Sequence, residues 1–270
     1  MPELPEMETY RRLLSERLTG KEISSVTINR EKSINLESAV FIHKVQGAKI
    51  QAIHRRAKHI IFKLSTGDNL LLHLMLGGWM YLGSEGDQPK RTKQVILSFG
   101  EMELYFIGLR LGYLHLLSEI ELEKELSDLG PEPLNGHLPY TAWQELISEK
   151  RGRLKTTLLD QQFIAGIGNC YSDEICYGAR LMPTKHADTL DEGMKKDLYD
   201  AIQGVLQRAL EFGGYMDQPL FKGDTLTGGY NNQCFVYDRE GESCGRCGGT
   251  IAFEEVSSRK CFYCPNCQRE

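Results

Sequence analysis

Two Cys-x-x-Cys pairs, Cys244-Gly-Arg-Cys247 and Cys264-Pro-Asn-Cys267, constrain the end of this chain more than any other feature of it. Each pair reads as a tight knuckle presenting two thiolates to one ion, and the separation of the pairs suits a zinc ribbon. A segment this short cannot build a hydrophobic core, so one Zn2+ is expected to take its place. Four thiolates leave no open coordination position, which makes that zinc structural and not catalytic. Cys261 lies just before Cys264 as a spare thiol, and the outer pairs are the expected ligands.

The other cysteines, Cys170, Cys176 and Cys234, are scattered, a usage that fits a reduced, cytoplasmic setting better than a disulfide framework. No apolar run reaches transmembrane length and no basic-then-apolar leader is present, so neither membrane nor secretion is expected. At 270 residues the chain is long enough for a real core and for two or three units. Its formal net charge of -5 argues against a uniformly basic nucleic-acid binder. Phosphate binding needs only a local patch, however, and three exist: Arg55-Arg56-Ala57-Lys58, Lys90-Arg91-Thr92-Lys93 and Lys150-Arg151-Gly152-Arg153-Leu154-Lys155.

The chain opens Met1-Pro2-Glu3-Leu4-Pro5-Glu6. Taken alone, the two prolines serve simply to start a helix, since proline is tolerated in the first turn. If Met1 is removed, Pro2 becomes a secondary amine able to attack a carbonyl-like carbon and form an iminium, with the acid Glu3 beside it. An α-amino group titrates near roughly pH 8, so neutral amine is available without a large shift. Residues 3–18 then read as an amphipathic helix, with Met7, Tyr10, Leu14 and Leu18 at helical spacing.

From Glu22 to Leu117 the pattern changes to eight short β-rich runs separated by turn signals such as Ser65-Thr66-Gly67-Asp68 and Gly100, which predicts a β-sandwich or barrel. Leu129-Gly-Pro-Glu-Pro-Leu134 interrupts regular structure as a hinge would. Helical sequence follows at 141–149, 154–161, 171–177 and 190–212. Within it, Gly166-Ile-Gly168-Asn169 reads equally as a plain helix-to-helix turn and as a place where backbone approaches an anion at a helix start. The glycine-rich 213–232 segment reads as a mobile loop. The expected class is therefore multidomain α+β: an N-terminal helix plus β-sandwich over 1–130, a helical domain over 131–228 and a zinc ribbon over 229–270.

Pro2-Glu3-Leu4-Pro5-Glu6, Leu129-Gly-Pro-Glu-Pro-Leu134, Ala165-Gly-Ile-Gly-Asn169 and the four-cysteine finger, in this order, closely resemble the formamidopyrimidine-DNA glycosylase and endonuclease VIII family. The leucine after Glu3 is more like the formamidopyrimidine branch. The resemblance implies a monomeric DNA-repair enzyme that excises damaged bases from double-stranded DNA and cleaves the abasic site by β,δ-elimination. It implies Pro2 as nucleophile and Glu3 as general acid and proton shuttle. Lys58 and Arg259 would serve the catalytic centre by holding phosphates, and Gly166, Gly168 and Asn169 would form the phosphate-gripping turn of a helix-two-turn-helix domain.

The void left by an everted nucleotide must be filled. Where the family places a methionine, an arginine that reads the orphaned base and a wedge phenylalanine, alignment puts Leu76, Leu109 and Leu111 here. Arg110 takes the reader's place only if its loop slips by one residue. Leucines cannot hydrogen-bond a cytosine edge, so weak discrimination of the opposite base is expected. For the same reason 8-oxoguanine is expected to be a poorer substrate than abasic sites, ring-opened purines or oxidised pyrimidines. Two competing readings are a lesion-binding relative with reduced excision and a non-enzymatic zinc-ribbon DNA-binding protein. The second has no need of the Pro2-Glu3 pair.

Overall fold

Apolar side chains at Met7, Tyr10, Leu14 and Leu18 fall on one stripe of helix α1 (Leu4–Leu18), and all four are fully buried. In the computed structural model, which describes every residue except Glu85, Asn135 and His137, α1 belongs to a first compact unit made of Met1–Ser127 and Phe212–Gly229. Its strands are β1 (Ser25–Ile28), β2 (Ile50–Arg56), β3 (His59–Leu64), β4 (Asn69–His73), β5 (Trp79–Gly83), β6 (Lys93–Ser98), β7 (Glu103–Ile107) and β8 (Tyr113–Leu117). They form two antiparallel four-stranded sheets, ordered β1-β6-β7-β5 and β2-β3-β4-β8. The expected sandwich is what the chain builds.

Cross-strand register explains the interior. Ile60 pairs with Leu72 and Leu72 with Leu114, while Phe62 pairs with Leu70 and Leu70 with Leu116. On the other sheet Met80 and Val95 both oppose Phe106. All of these join one hydrophobic core with α1. Several strands lack strict alternation because their outer faces are covered too, with Ile61 and Leu71 packing on Leu122 of α3 (Glu119–Leu126). Neither α3 nor α2 (Ser38–Val45) was apparent from hydrophobic pattern, both being only eight residues long.

Residues 212–229 depart from expectation. Most of the 213–232 stretch that reads as a loop leading into the zinc ribbon is grouped with the first unit. Leu220 is fully buried in the sandwich core, its carbonyl accepts the Leu82 amide at 2.6 Å, and the Tyr10 hydroxyl donates to the Gln218 carbonyl at 3.2 Å. The Asp224 carboxylate organises the turn by accepting the amides of Leu220, Leu226 and Thr227.

The second unit comprises Asp128–Glu211 and Tyr230–Glu270. It contains α4 (Tyr140–Ser148), α5 (Leu154–Leu159), α6 (Asn169–Gly178), α7 (Glu192–Glu211) and the hairpin β9 (Ala252–Val256)–β10 (Arg259–Tyr263). Helices and finger, expected as two domains, are thus one compact unit. The physical reason lies in α6, whose residues Cys170–Tyr177 are all buried. Its Glu174 carboxylate accepts three successive amides, those of Phe235, Val236 and Tyr237, at 2.8–3.0 Å. Tyr177 packs with Val236, Ile251 and Phe262 in a core that belongs to helix and finger alike. Among the described residues no helix is long and apolar enough to cross a membrane.

Candidate active site and phosphate-binding elements

Glu3 is the N-cap of α1, and its amide donates to Glu6 Oε2 at 2.7 Å in a capping box. Glu6 Oε1 accepts the amide of Tyr215 at 2.8 Å, so one carboxylate ties the helix start to the returning 212–229 segment. Gly214 leaves room for that bond: its φ is +79°, and a Cβ there would stand 2.2 Å from Glu6 Oε1. The Tyr215 hydroxyl donates to the Met1 carbonyl at 3.3 Å. Pro2 is buried and Glu3 only 1 % exposed, so the prospective nucleophile and acid sit in a water-poor corner. Lys58, at the turn between β2 and β3, is 6 % exposed and belongs to the same unit. The sequence pointed to Pro2, Glu3 and Lys58 but not to Glu6, although a glutamate three residues past an N-cap was a legible signal.

Two exposed leucines stand on adjoining turns of this unit. Leu76 is 68 % and Leu111 64 % exposed, and the turns touch through backbone: a Cβ on Gly108 would lie 2.1 Å from the Gly77 carbonyl oxygen. A Cβ on Gly112 would lie 2.4 Å from that of His73. Glycines at these positions let the two tips come together. Leu109 is a different case. Aligned with the orphan-base reader, it is 0 % exposed and packs in the sandwich core, so it is not available as a void-filling residue in this structure. Arg110, between Leu109 and the exposed Leu111, is itself exposed. Arg30 braces the loop from below, donating to the carbonyls of Leu109 and Arg110 at 3.2 Å each, a role no sequence pattern announced.

In the second unit, Gly166 (φ +108°) and Gly168 lead into α6, with Gly168 as N-cap and Asn169 as first residue. Gln161 fixes this turn by donating to the Ile167 carbonyl at 2.8 Å and accepting the Gly166 amide at 3.0 Å. No acidic residue occupies the first turn of α6 itself, where the positive end of the helix dipole lies. Asn169 Oδ1 is buried without a hydrogen-bond partner.

The four expected ligand sulfurs, those of Cys244, Cys247, Cys264 and Cys267, lie within 4.8 Å of one another. Cys244 and Cys267 are 3.8 Å apart and Cys247 and Cys264 3.5 Å apart. Tetrahedral zinc with bonds of about 2.3 Å requires sulfur separations of about 3.8 Å, so the set fits one zinc. Burial pushes the Cys244 thiol up, yet hydrogen bonds from Tyr177 and from the Arg246 and Cys247 amides bring it down to about 6. Burial and the neighbouring Cys264 and Cys244 push Cys267 up to about 12. Four adjacent thiols cannot all ionise unless a cation sits among them, which is what the metal supplies. Cys261 stays outside the cluster, fully buried.

Arg259 opens β10 directly after the two-residue turn Ser257-Ser258, both with positive φ (+51° and +59°), and it is exposed. A tight hairpin with φ > 0 at both central residues matches strand twist and carries the arginine at its tip.

Residues 1–113 match the formamidopyrimidine-DNA glycosylase N-terminal domain, and residues 129–218 the helix-two-turn-helix domain of the same enzymes. The formamidopyrimidine-DNA glycosylase of Pelotomaculum thermopropionicum is 36% identical over 100% of this chain and 99% of its own length. That of Heliobacterium modesticaldum is 34% identical over the full length of both. A solved structure of the Lactococcus lactis enzyme with DNA containing an abasic site superposes with a TM-score of 0.93 at 30% identity, over 99% of this chain and 100% of that one. The same enzyme, as a mutant bound to Fapy-dG DNA, gives 0.92 at 30% over 100% of both chains. With two matched domains and relatives of this identity along its whole length, the chain belongs to the formamidopyrimidine-DNA glycosylase family.

Proposed function

We propose that this protein is a DNA glycosylase and abasic-site lyase that acts on damaged double-stranded DNA as a monomer in the reducing cytoplasm. The observation that carries this reading is the N terminus: Pro2 and Glu3 are buried together at a helix start whose geometry a second carboxylate, Glu6, holds in place. Once Met1 is removed, the Pro2 nitrogen attacks C1′ of the damaged nucleotide, forming N–C1′ as the bond to the base breaks. The base leaves with a proton. Opening of the sugar breaks C1′–O4′, delivers a proton from Glu3 to O4′ and leaves an iminium on Pro2. Loss of the 3′ and then the 5′ phosphate by elimination cuts the strand, and water releases the enzyme.

Lys58, the Gly166–Asn169 turn and Arg259 hold the flanking phosphates in this reading. Support comes from a lysine in the catalytic unit, a helix start without an acidic first turn, and an arginine at an exposed hairpin tip. Leu76 and Leu111 fill the void, supported by their exposure on adjoining turns. Zinc holds the finger and takes no part in the chemistry. Ring-opened purines and abasic sites are the preferred substrates, in keeping with relatives solved on Fapy-dG and abasic-site DNA.

The test is a panel of duplexes, each with one defined lesion, assayed for base release and for strand products. The reading requires base release from at least one damaged base and products of successive elimination at abasic sites. Binding to the lesions without release or cleavage would favour the non-excising alternative.

A further inference from the structure

We infer that Tyr215 is a positioning residue for the nucleophile, its phenol donating a hydrogen bond to the lone pair of the Pro2 amine in the resting enzyme and so favouring the neutral form. This rests on the reading of Pro2 as nucleophile. With Met1 in place the Tyr215 hydroxyl donates to the Met1 carbonyl oxygen at 3.3 Å. That oxygen and the Pro2 nitrogen are bonded to the same carbon, about 2.3 Å apart by standard peptide geometry. Removing Met1 takes away this acceptor and exposes a new one, the amine lone pair, about 2.3 Å from where the carbonyl oxygen stood.

The backbone that carries Tyr215 is anchored to α1. Its amide is held by Glu6 Oε1 at 2.8 Å, the other oxygen of that carboxylate holds the Glu3 amide at 2.7 Å, and Gly214 has no room for a side chain against Glu6. The Tyr215 backbone and the backbone after Pro2 therefore hang on one carboxylate. A donor aimed at a neutral amine disfavours its protonation, and only the neutral amine has a pair to give. Charged groups towards this end of the unit include Glu3 at the N-cap, Glu6 and Glu8 in the first turns of α1, Arg55, Arg56 and Lys58 at the β2–β3 turn, and Asp217 and Asp224 on the returning segment. All of them remain when the phenol alone is changed.

The experiment compares wild type with Tyr215→Phe, both shown by intact mass to lack Met1, in single-turnover borohydride trapping on a duplex with one abasic site across the pH range of an α-amino group. The expected result is a rising limb displaced upward by about half to one pH unit, roughly 3–10-fold slower trapping at neutral pH, and an unchanged high-pH plateau. An unmoved limb overturns the inference. So does an equal loss at every pH, which is the signature of a packing role. Absence of trapping by wild type itself would instead overturn the assignment of Pro2, and the two failures are thus told apart.

Discussion

Lys155 and Asp173 meet at 2.7 Å with neither side chain exposed to solvent. The lysine also donates to the Asn169 carbonyl at 2.9 Å, and the second carboxylate oxygen accepts the Phe262 amide of β10 at 3.1 Å. One buried pair thus links the start of α6, where the turn proposed to hold phosphate lies, to the strand that begins with Arg259. Burial raises the Asp173 carboxyl to about 7, against the pull of Lys155.

Removing one member of such a pair leaves a charge without its partner, at a cost of about 3–5 kcal/mol. Asp173→Asn is expected to destabilise the second unit by that order and to weaken DNA binding with it. Denaturant unfolding and a binding isotherm check this. A variant with full stability would show that Asn169 and β10 are held by other contacts.

His59 and His73 stack at 4.3 Å, and burial lowers them to about 4 and about 3 respectively, helped at His73 by His59 and Lys58. The folded chain therefore keeps both rings neutral where an unfolded chain begins to take up protons, near ~6.5. With more protons bound in the unfolded state, stability contributed by these rings is complete above about pH 6.5 and is lost as pH falls towards 4 and then 3. Thermal unfolding across this window, compared with a variant carrying His59→Gln and His73→Gln, should show a steeper acid loss in wild type. Parallel profiles would contradict it.

The exposed tips and the buried leucine between them separate two kinds of variant. Leu76→Ala and Leu111→Ala are expected to slow base excision while changing stability by less than about 0.5 kcal/mol, because both side chains face solvent in the free protein. Leu109→Arg, by contrast, puts a guanidinium into the sandwich core and is expected to destabilise the first unit, not to create a reader of the opposite base. Excision rates for one lesion opposite each of the four bases should differ little in wild type. Strong preference for cytosine that disappears in Arg110→Ala would assign the reading to Arg110 instead.

Cys264→Ser should lose the single equivalent of zinc and loosen the hairpin that carries Arg259, weakening DNA binding while the sandwich stays folded. Metal analysis and near-UV spectroscopy of the variant read both effects. Undiminished affinity with no zinc bound would remove the finger from the DNA interface.

Much of this architecture was legible because its signals are local. The short β-rich runs, turn glycines and the spacing of Met7, Tyr10, Leu14 and Leu18 predicted the sandwich and α1, with boundaries within two residues except at β4, whose run reads on to Leu76 while the strand ends at His73. The cysteine pairs predicted their own cluster. What was not legible depends on partners far apart in sequence. Glu174 reads as a surface helix acid until Phe235, Val236 and Tyr237 bring their amides to it. The 212–229 segment has the composition of a loop, and its contacts to the first unit, Leu220 in the core and Tyr215 on Glu6, depend on residues far away in sequence. Leu109 shows the limit of register: an alignment assigns it a position, but burial decides whether its side chain can leave.

The central claim is that the Pro2 nitrogen is the nucleophile, and it is tested most directly by locating the covalent bond. Protein lacking Met1 is reduced with borohydride on duplex DNA containing one abasic site, digested, and the adduct is mapped by mass spectrometry. The account predicts the sugar remnant on Pro2, and no adduct from protein shown by intact mass to retain Met1. A remnant on Lys58 or another lysine, or equal trapping with Met1 in place, would contradict it.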